Sequence, residues 1–354
     1  MRRILKHWLR ISMTMIAAGV ALVILSFALG ARGGYAYFGD GGLRIVPVGD
    51  AIVVREMDLA AFDTIQVRAR SSSIELIESD RYGIELRLPA YAGEPNWSIA
   101  NGKLTIDAYS GRSAIMLMNI GFQSDLVRIY YPRQSGNSDG ADIGGTVFKS
   151  VDLSTTSGSV KIAALMADDL RINTGSGAIS VDISHFRQAV VQSKSGGIAY
   201  KGKGDAASLT ISTISGGIKV DAAGCGAVDL NTRTGGISLG GDTLPNAQLR
   251  VASSSGSISV DVSAWMSLTA ESGSGDIRIK GKAEGATFAN ARSGSLAMTL
   301  RGDERNFSYE LSSRSGTIRI GGIRMGNSAK HISEEEMNTV IAQTSSGNIS
   351  LDFG

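Results

Sequence analysis

One recurring unit governs this sequence: a Ser or Thr, then Gly, then an aliphatic residue two positions after the glycine. It occurs at Ser157, Ser176, Ser195, Ser215, Thr234, Ser255, Ser274, Ser293, Ser315 and Ser346, at successive spacings of 19, 19, 20, 19, 21, 19, 19, 22 and 31 residues. A near-constant period of this length belongs to stacked repeats. A single unit cannot bury its own apolar row, so neighbouring units must bury it for one another.

With the Ser or Thr as position zero, the columns separate by chemistry. Plus three and plus five are apolar throughout, as in Ile179 and Val181, Ile198 and Tyr200, or Ile277 and Ile279. Minus four is apolar as well, from Leu153 through Ile172 and Val191 to Ala342. Minus two is small and carries a hydroxyl in nine of ten units, Ala291 being the exception. Alternation on both sides of Ser-Gly describes two short strands meeting at a corner, where glycine adopts a backbone conformation closed to other residues. The hydroxyls at minus two are placed to bond along the stack or to corner amides. The columns predict an all-β fold: a single-stranded parallel β-solenoid, or β-helix, of about ten 19–22-residue coils over residues 147–354, stacked at about 4.8 Å per coil. A second geometry fits the same columns. With Ser-Gly as a two-residue hairpin turn, minus two would face plus three in a meander or propeller.

The rest of the chain is read around this array. Arg2, Arg3, Lys6 and Arg10 precede an uncharged run from Ile11 to Ala31, long enough to span a hydrocarbon core of about 30 Å. Residues 1–31 are therefore expected to be a cytoplasmic basic segment and a transmembrane anchor. Cleavage near Ala28-Leu29-Gly30 is the alternative. The expected location is the cell membrane, single-pass, with the N-terminus cytoplasmic and the solenoid outside. Residues 32–50 read as a juxtamembrane linker, 51–133 as a β-strand region with period-two runs such as Ile84, Leu86 and Leu88, and 134–146 as a loop. The acidic excursion at 321–341, which contains HISEEEM, precedes the last unit and is expected to cover the open end of the stack.

The run FKSVDLSTTSGSVKI after an IYYP strand, the tandem SGxIxI units, the preceding apolar anchor and the closing TSSGNISLDFG carry a resemblance. Over roughly Ala51 to Gly354 the chain resembles the bacterial putative-adhesin β-strand-repeat family. That resemblance implies a repeat fold and a surface or envelope-stress association, and supplies no catalytic residues.

A net charge of +2, from 35 Lys and Arg against 33 Asp and Glu, argues against nucleic acid as a partner. The lone Cys225 excludes an intramolecular disulfide and any multi-cysteine metal site, and reads as a buried apolar residue. No motif calls for a cofactor: Asn137 to Asp142 lacks calcium-loop spacing, and GDGG at 39–42 reads as a turn. The outward minus-one column holds Lys194, Arg233, Arg292 and Arg314, and outward plus four holds Lys161, Lys219, Arg278 and Arg319. The first set is the candidate strip for an anionic envelope polymer, another envelope protein being the other partner considered. The expected function is a non-enzymatic, envelope-anchored interaction or structural module. The alternative is a carbohydrate-active β-helix enzyme, for which the carboxylates at plus six, Asp182, Asp221, Asp261 and Asp352, are the acids available. His7, His185 and His331 lie far apart in sequence, the last two expected in connecting loops.

Overall fold

The structure, a computed structural model, describes residues 12–16, 18–21, 34–39, 42–47, 51–89, 95–108, 114–116, 125–132, 147–334 and 338–354. Residues 12–16 and 18–21 are helical. Among the described residues no helix is long and apolar enough to cross a membrane. Most of the expected anchor, and the whole of the loop at 134–146, lies outside the described residues.

The chain forms two compact units. The smaller contains a three-stranded antiparallel sheet of Gly34–Gly39, Gly42–Pro47 and Ala114–Met116, with Tyr35 opposite Val46 and Ala36 opposite Ile115. The stretch expected as a linker therefore carries a β-hairpin. Its signal is Asp40-Gly41 between two short alternating runs, which the glycine content of the segment hid.

The larger unit is an all-β, solenoid-like stack, and its ladder decides between the two sequence geometries. Ile179 pairs with Ile198, Ile198 with Ile218, Ile218 with Ile237, Ile237 with Ile258 and Ile258 with Ile277, all in parallel. Like column stands on like column, so Ser-Gly is a corner between strands of one coil, and the hairpin alternative is overturned. The inward columns are almost completely buried: Ile172, Val191, Ile211, Leu230 and Val251 are all 0% exposed. Buried aliphatics of this kind contribute about 1.5–3 kcal/mol each. In the Ser157, Ser176, Ser195 and Ser255 coils the opposite bend is marked by register shifts, as between Ile162 and Leu165, where irregular residues redirect the strand.

The corner glycines explain their own invariance along the stack. From Gly177 to Gly294, and at Gly347, their φ lies between 140° and 155°, a region open in practice to glycine alone. A methyl group on any of them would also drive into the carbonyl of the corner below: Gly177 into Gly158, Gly196 into Gly177, Gly216 into Gly196, and so on. The minus-two hydroxyls complete this file by donating to the same carbonyls, Thr174 to Gly158 at 3.2 Å, Thr232 to Gly216 at 3.2 Å, Ser253 to Gly235 at 3.0 Å and Ser272 to Gly256 at 3.1 Å. These bonds run along the stack from one coil to the next, one of the two arrangements the columns allowed, and at Thr155 the hydroxyl also accepts from the corner amide of Gly158.

Both ends depart from a simple succession of coils. Strands Thr64–Ala69 and Ser73–Ser79 stack directly beneath the Ser157 coil, with Val67 on Leu153 and Ile74 on Val160. The ladder thus runs through the boundary drawn at residue 147. The sequence missed this coil because its corner carries Ser72 in place of glycine. Beneath it lie Lys103–Ala108 and Leu126–Pro132, again parallel. Antiparallel strands Asn96–Ala100 and Gly83–Pro89 then cover that edge.

At the other end the last coil in sequence is not the last in space. Asn338–Ser346 and Ile349–Phe353 insert between the Ser293 coil and the Ser315 coil, pairing in parallel with both. The corner file gives the same order, because Gly347 sits against Gly294 and Gly316 against Gly347. Strands Ile323–Gly326 and Ser328–His331 pair antiparallel with the Ser315 coil. Part of the excursion therefore does lie on the terminal coil, though that coil is the one before it in sequence. The expectation that Ser346 heads the outermost coil is corrected: the three residues beyond a 19-residue period between Ser293 and Ser315 accompany a step of two rungs instead of one.

Candidate functional site

The outward face of the strand before the corner presents the minus-one, minus-three and minus-five columns. Lys194, Arg233, Arg292 and Arg314 all lie on it and are exposed. In spatial order the minus-one file reads Lys194, Ile214, Arg233, Ser254, Gly273, Arg292, Ser345, Arg314. At about 4.8 Å per rung, neighbouring cations in this order are about 10, 14 and 10 Å apart. Arg292 and Arg314, successive repeats in sequence, are separated by Ser345 of the inserted coil. None of the four cations forms an ion pair with a described residue, whereas Arg128, Arg187, Lys280 and Lys330 elsewhere are paired.

Next to it, the minus-three file reads Asn173, Gln192, Ser212, Asn231, Ala252, Glu271, Asn290, Gln343 and Ser312. It is a line of carboxamides and hydroxyls with one carboxylate, interrupted by Ala252. Where the minus-one residues shrink to Ser254 and Gly273, the face opens into a groove of about 540 Å³ lined among others by Asn231, Glu271, Asn290 and Arg292. Sequence reading missed this groove, although the minus-three column, once written out, carries its signal.

The plus-six carboxylates are placed quite differently. Lys201 stands between Asp182 and Asp221, Gly240 between Asp221 and Asp261, and Lys280 follows Asp261 with its Nζ at 3.8 Å. The register alternates charge along an exposed edge and brings no two of these carboxylates onto neighbouring rungs. Among the described residues no group of three metal-binding side chains occurs. His185 and His331 both stand in strands, the first 4.0 Å from Asp168, the second beside the Tyr309 ring. His7 lies outside the described residues.

Cys225 is fully buried, and burial pushes its thiol pKa up to about 11. It is an inert core side chain at neutral pH. One polar cluster among the described residues is one that sequence spacing could not assemble. The Arg128 guanidinium donates to Glu75 at 2.8 and 2.9 Å and to Glu85 at 3.3 Å, and Tyr130 donates to Glu85 at 2.9 Å. Its acceptors are matched by donors, and it ties the covering strand Gly83–Pro89 to the coil beneath.

Fold and columns together define an all-β repeat protein. The chain belongs to the Toastrack DUF4097 family, whose pattern matches residues 62–266 and 203–352. No curated protein matches it. Among solved structures, it is similar to a putative adhesin from Bacteroides fragilis, at 11% identity over 87% of this chain and 99% of that one, with a TM-score of 0.32. A putative adhesin from Parabacteroides distasonis is similar at 10% identity over 86% and 98% of the two chains, with a TM-score of 0.37. A putative cell adhesion protein from Clostridium sporogenes is similar at 8% identity over 86% and 100%, with a TM-score of 0.18.

Proposed function

We propose that the protein is a non-enzymatic interaction module of the cell envelope: a single-stranded parallel β-solenoid, tethered by the apolar run from Ile11 to Ala31, that presents its minus-one face to an anionic envelope polymer. The observation that carries this reading is the strip of Lys194, Arg233, Arg292 and Arg314, exposed on one line of a rigid ladder and free of ion pairs with described residues. A ladder fixes the spacing of such charges before any ligand arrives, which lowers the ordering cost of binding. Each exposed contact is weak, and several acting on one polymer chain add up.

The test uses the full-length chain and an immobilised acidic polysaccharide. Combining Arg233→Ser, Arg292→Ser and Arg314→Ser is expected to lower retention about ten-fold at low salt. Retention of the unaltered protein is expected to fall as ionic strength approaches 1 M, where screening acts within about 3 Å. Retention that ignores both the substitutions and the salt rejects the reading.

A further inference from the structure

The strip is not uniform. Arg233 and Arg292 are three rungs, about 14 Å, apart, the two rungs between them carry no cation, and there the groove opens. Its floor at minus one is Ser254 and Gly273. Its minus-three wall is Asn231, Ala252, Glu271 and Asn290 in register, so the carboxylate of Glu271 has the carboxamide of Asn290 on one neighbouring rung and that of Asn231 two rungs away on the other side, beyond the small Ala252. Glu271 is exposed and pairs with no cation among the described residues.

The geometry points to a ligand whose charge is interrupted as the strip is. We infer that the groove seats an uncharged, hydroxyl-rich unit of an acidic glycan, with acidic groups on either side held by Arg233 and Arg292. This rests on the polymer-binding reading above and specifies its ligand. Carboxamides offer both donors and acceptors, and a carboxylate accepts two hydroxyl hydrogens, so the wall suits sugar hydroxyls. The groove's volume is in the range that holds a small organic unit. An acidic group at the centre would face Glu271, and like charges in contact are repelled even through water. A polymer bearing charge on every unit is thus disfavoured, while one with neutral units between its charges is accepted. Glu271 acts here as a selectivity residue, favouring one class by opposing the other.

The experiment compares hyaluronan, in which a neutral amino sugar alternates with each uronate, with polygalacturonate, in which every sugar is charged, at equal ionic strength. The full-length protein is expected to bind hyaluronan at least about five-fold more tightly per chain of equal charge, the size of one like-charge contact in water. Glu271→Gln, which keeps shape and hydrogen bonding, is expected to strengthen polygalacturonate binding and leave hyaluronan binding unchanged, closing the gap. Equal binding of both polymers, or a ratio that Glu271→Gln does not move, overturns the groove inference. If Arg233→Ser still weakens both in that case, the strip stands. Binding of neither polymer overturns the strip and the groove together.

Discussion

The middle of the stack and its ends are built from the same repeat by different rules. From the Ser157 coil to the Ser293 coil, chain order and spatial order coincide, each corner glycine lying on the one before it. At each end the order breaks. The strands Lys103–Ala108 and Leu126–Pro132 lie outside an earlier coil, and the last coil in sequence is inserted inside the Ser315 coil. Both outermost edges then carry antiparallel strands. A parallel ladder can grow indefinitely and leaves a row of unpaired backbone groups wherever it stops. The repeat supplies the ladder, while termination requires residues that break the repeat.

Removing the inserted coil tests this difference with the largest expected effect. Deletion of residues 338–354 takes away the layer on which the Ser315 coil rests. Amide hydrogens of 307–331 are expected to lose their exchange protection, with those of 160–281 keeping theirs. Full protection of 307–320 in the shortened chain would mean that the Ser315 coil stacks directly on the Ser293 coil, and the two-rule description would fail.

Two adjacent glycines probe the middle. Gly216 has φ 145° and its added methyl would strike the Gly196 carbonyl, so Gly216→Ala is expected to destabilise the fold by about 3 kcal/mol or more. Gly217, one residue on, faces outward with its nearest neighbour, the Gly236 carbonyl, at 3.6 Å from the position of an added methyl. Gly217→Ala is expected to change stability by no more than about 0.5 kcal/mol. Denaturant unfolding of the two variants gives the comparison, and equal losses would show that the corner geometry is not what demands glycine.

The middle of the fold was legible because each column reports one environment. Ile, Val and Leu recur at plus three and plus five since those positions are buried in every coil, and Thr or Ser recurs at minus two since that position is small and, in coils such as those of Thr174, Thr232, Ser253 and Ser272, reaches a corner carbonyl. The Ser71 corner was not legible. Ser72 has no positive φ, so the glycine that marks later corners is missing, although Val67, Ala69, Ile74 and Leu76 fit the columns. The insertion of 338–354 was hidden for a related reason. Columns that match every neighbour equally cannot say which neighbour is chosen. The candidate site shared both fates. Lys194, Arg233, Arg292 and Arg314 were found in one column, but their spacing required the spatial order, and the groove at Glu271 required the adjoining file as well.

The most direct test of coil order uses the exposed corner serines. Ser293 and Ser346 are paired on adjacent rungs, whereas Ser293 and Ser315 stand two rungs apart. Adjacent rungs are about 4.8 Å apart and within disulfide reach, and a separation of about 10 Å is beyond it. In a Cys225→Ala background, oxidation is expected to cross-link the protein carrying Ser293→Cys with Ser346→Cys, and to leave Ser293→Cys with Ser315→Cys reduced. The reverse result, a bond between 293 and 315 and none between 293 and 346, would contradict the inserted coil.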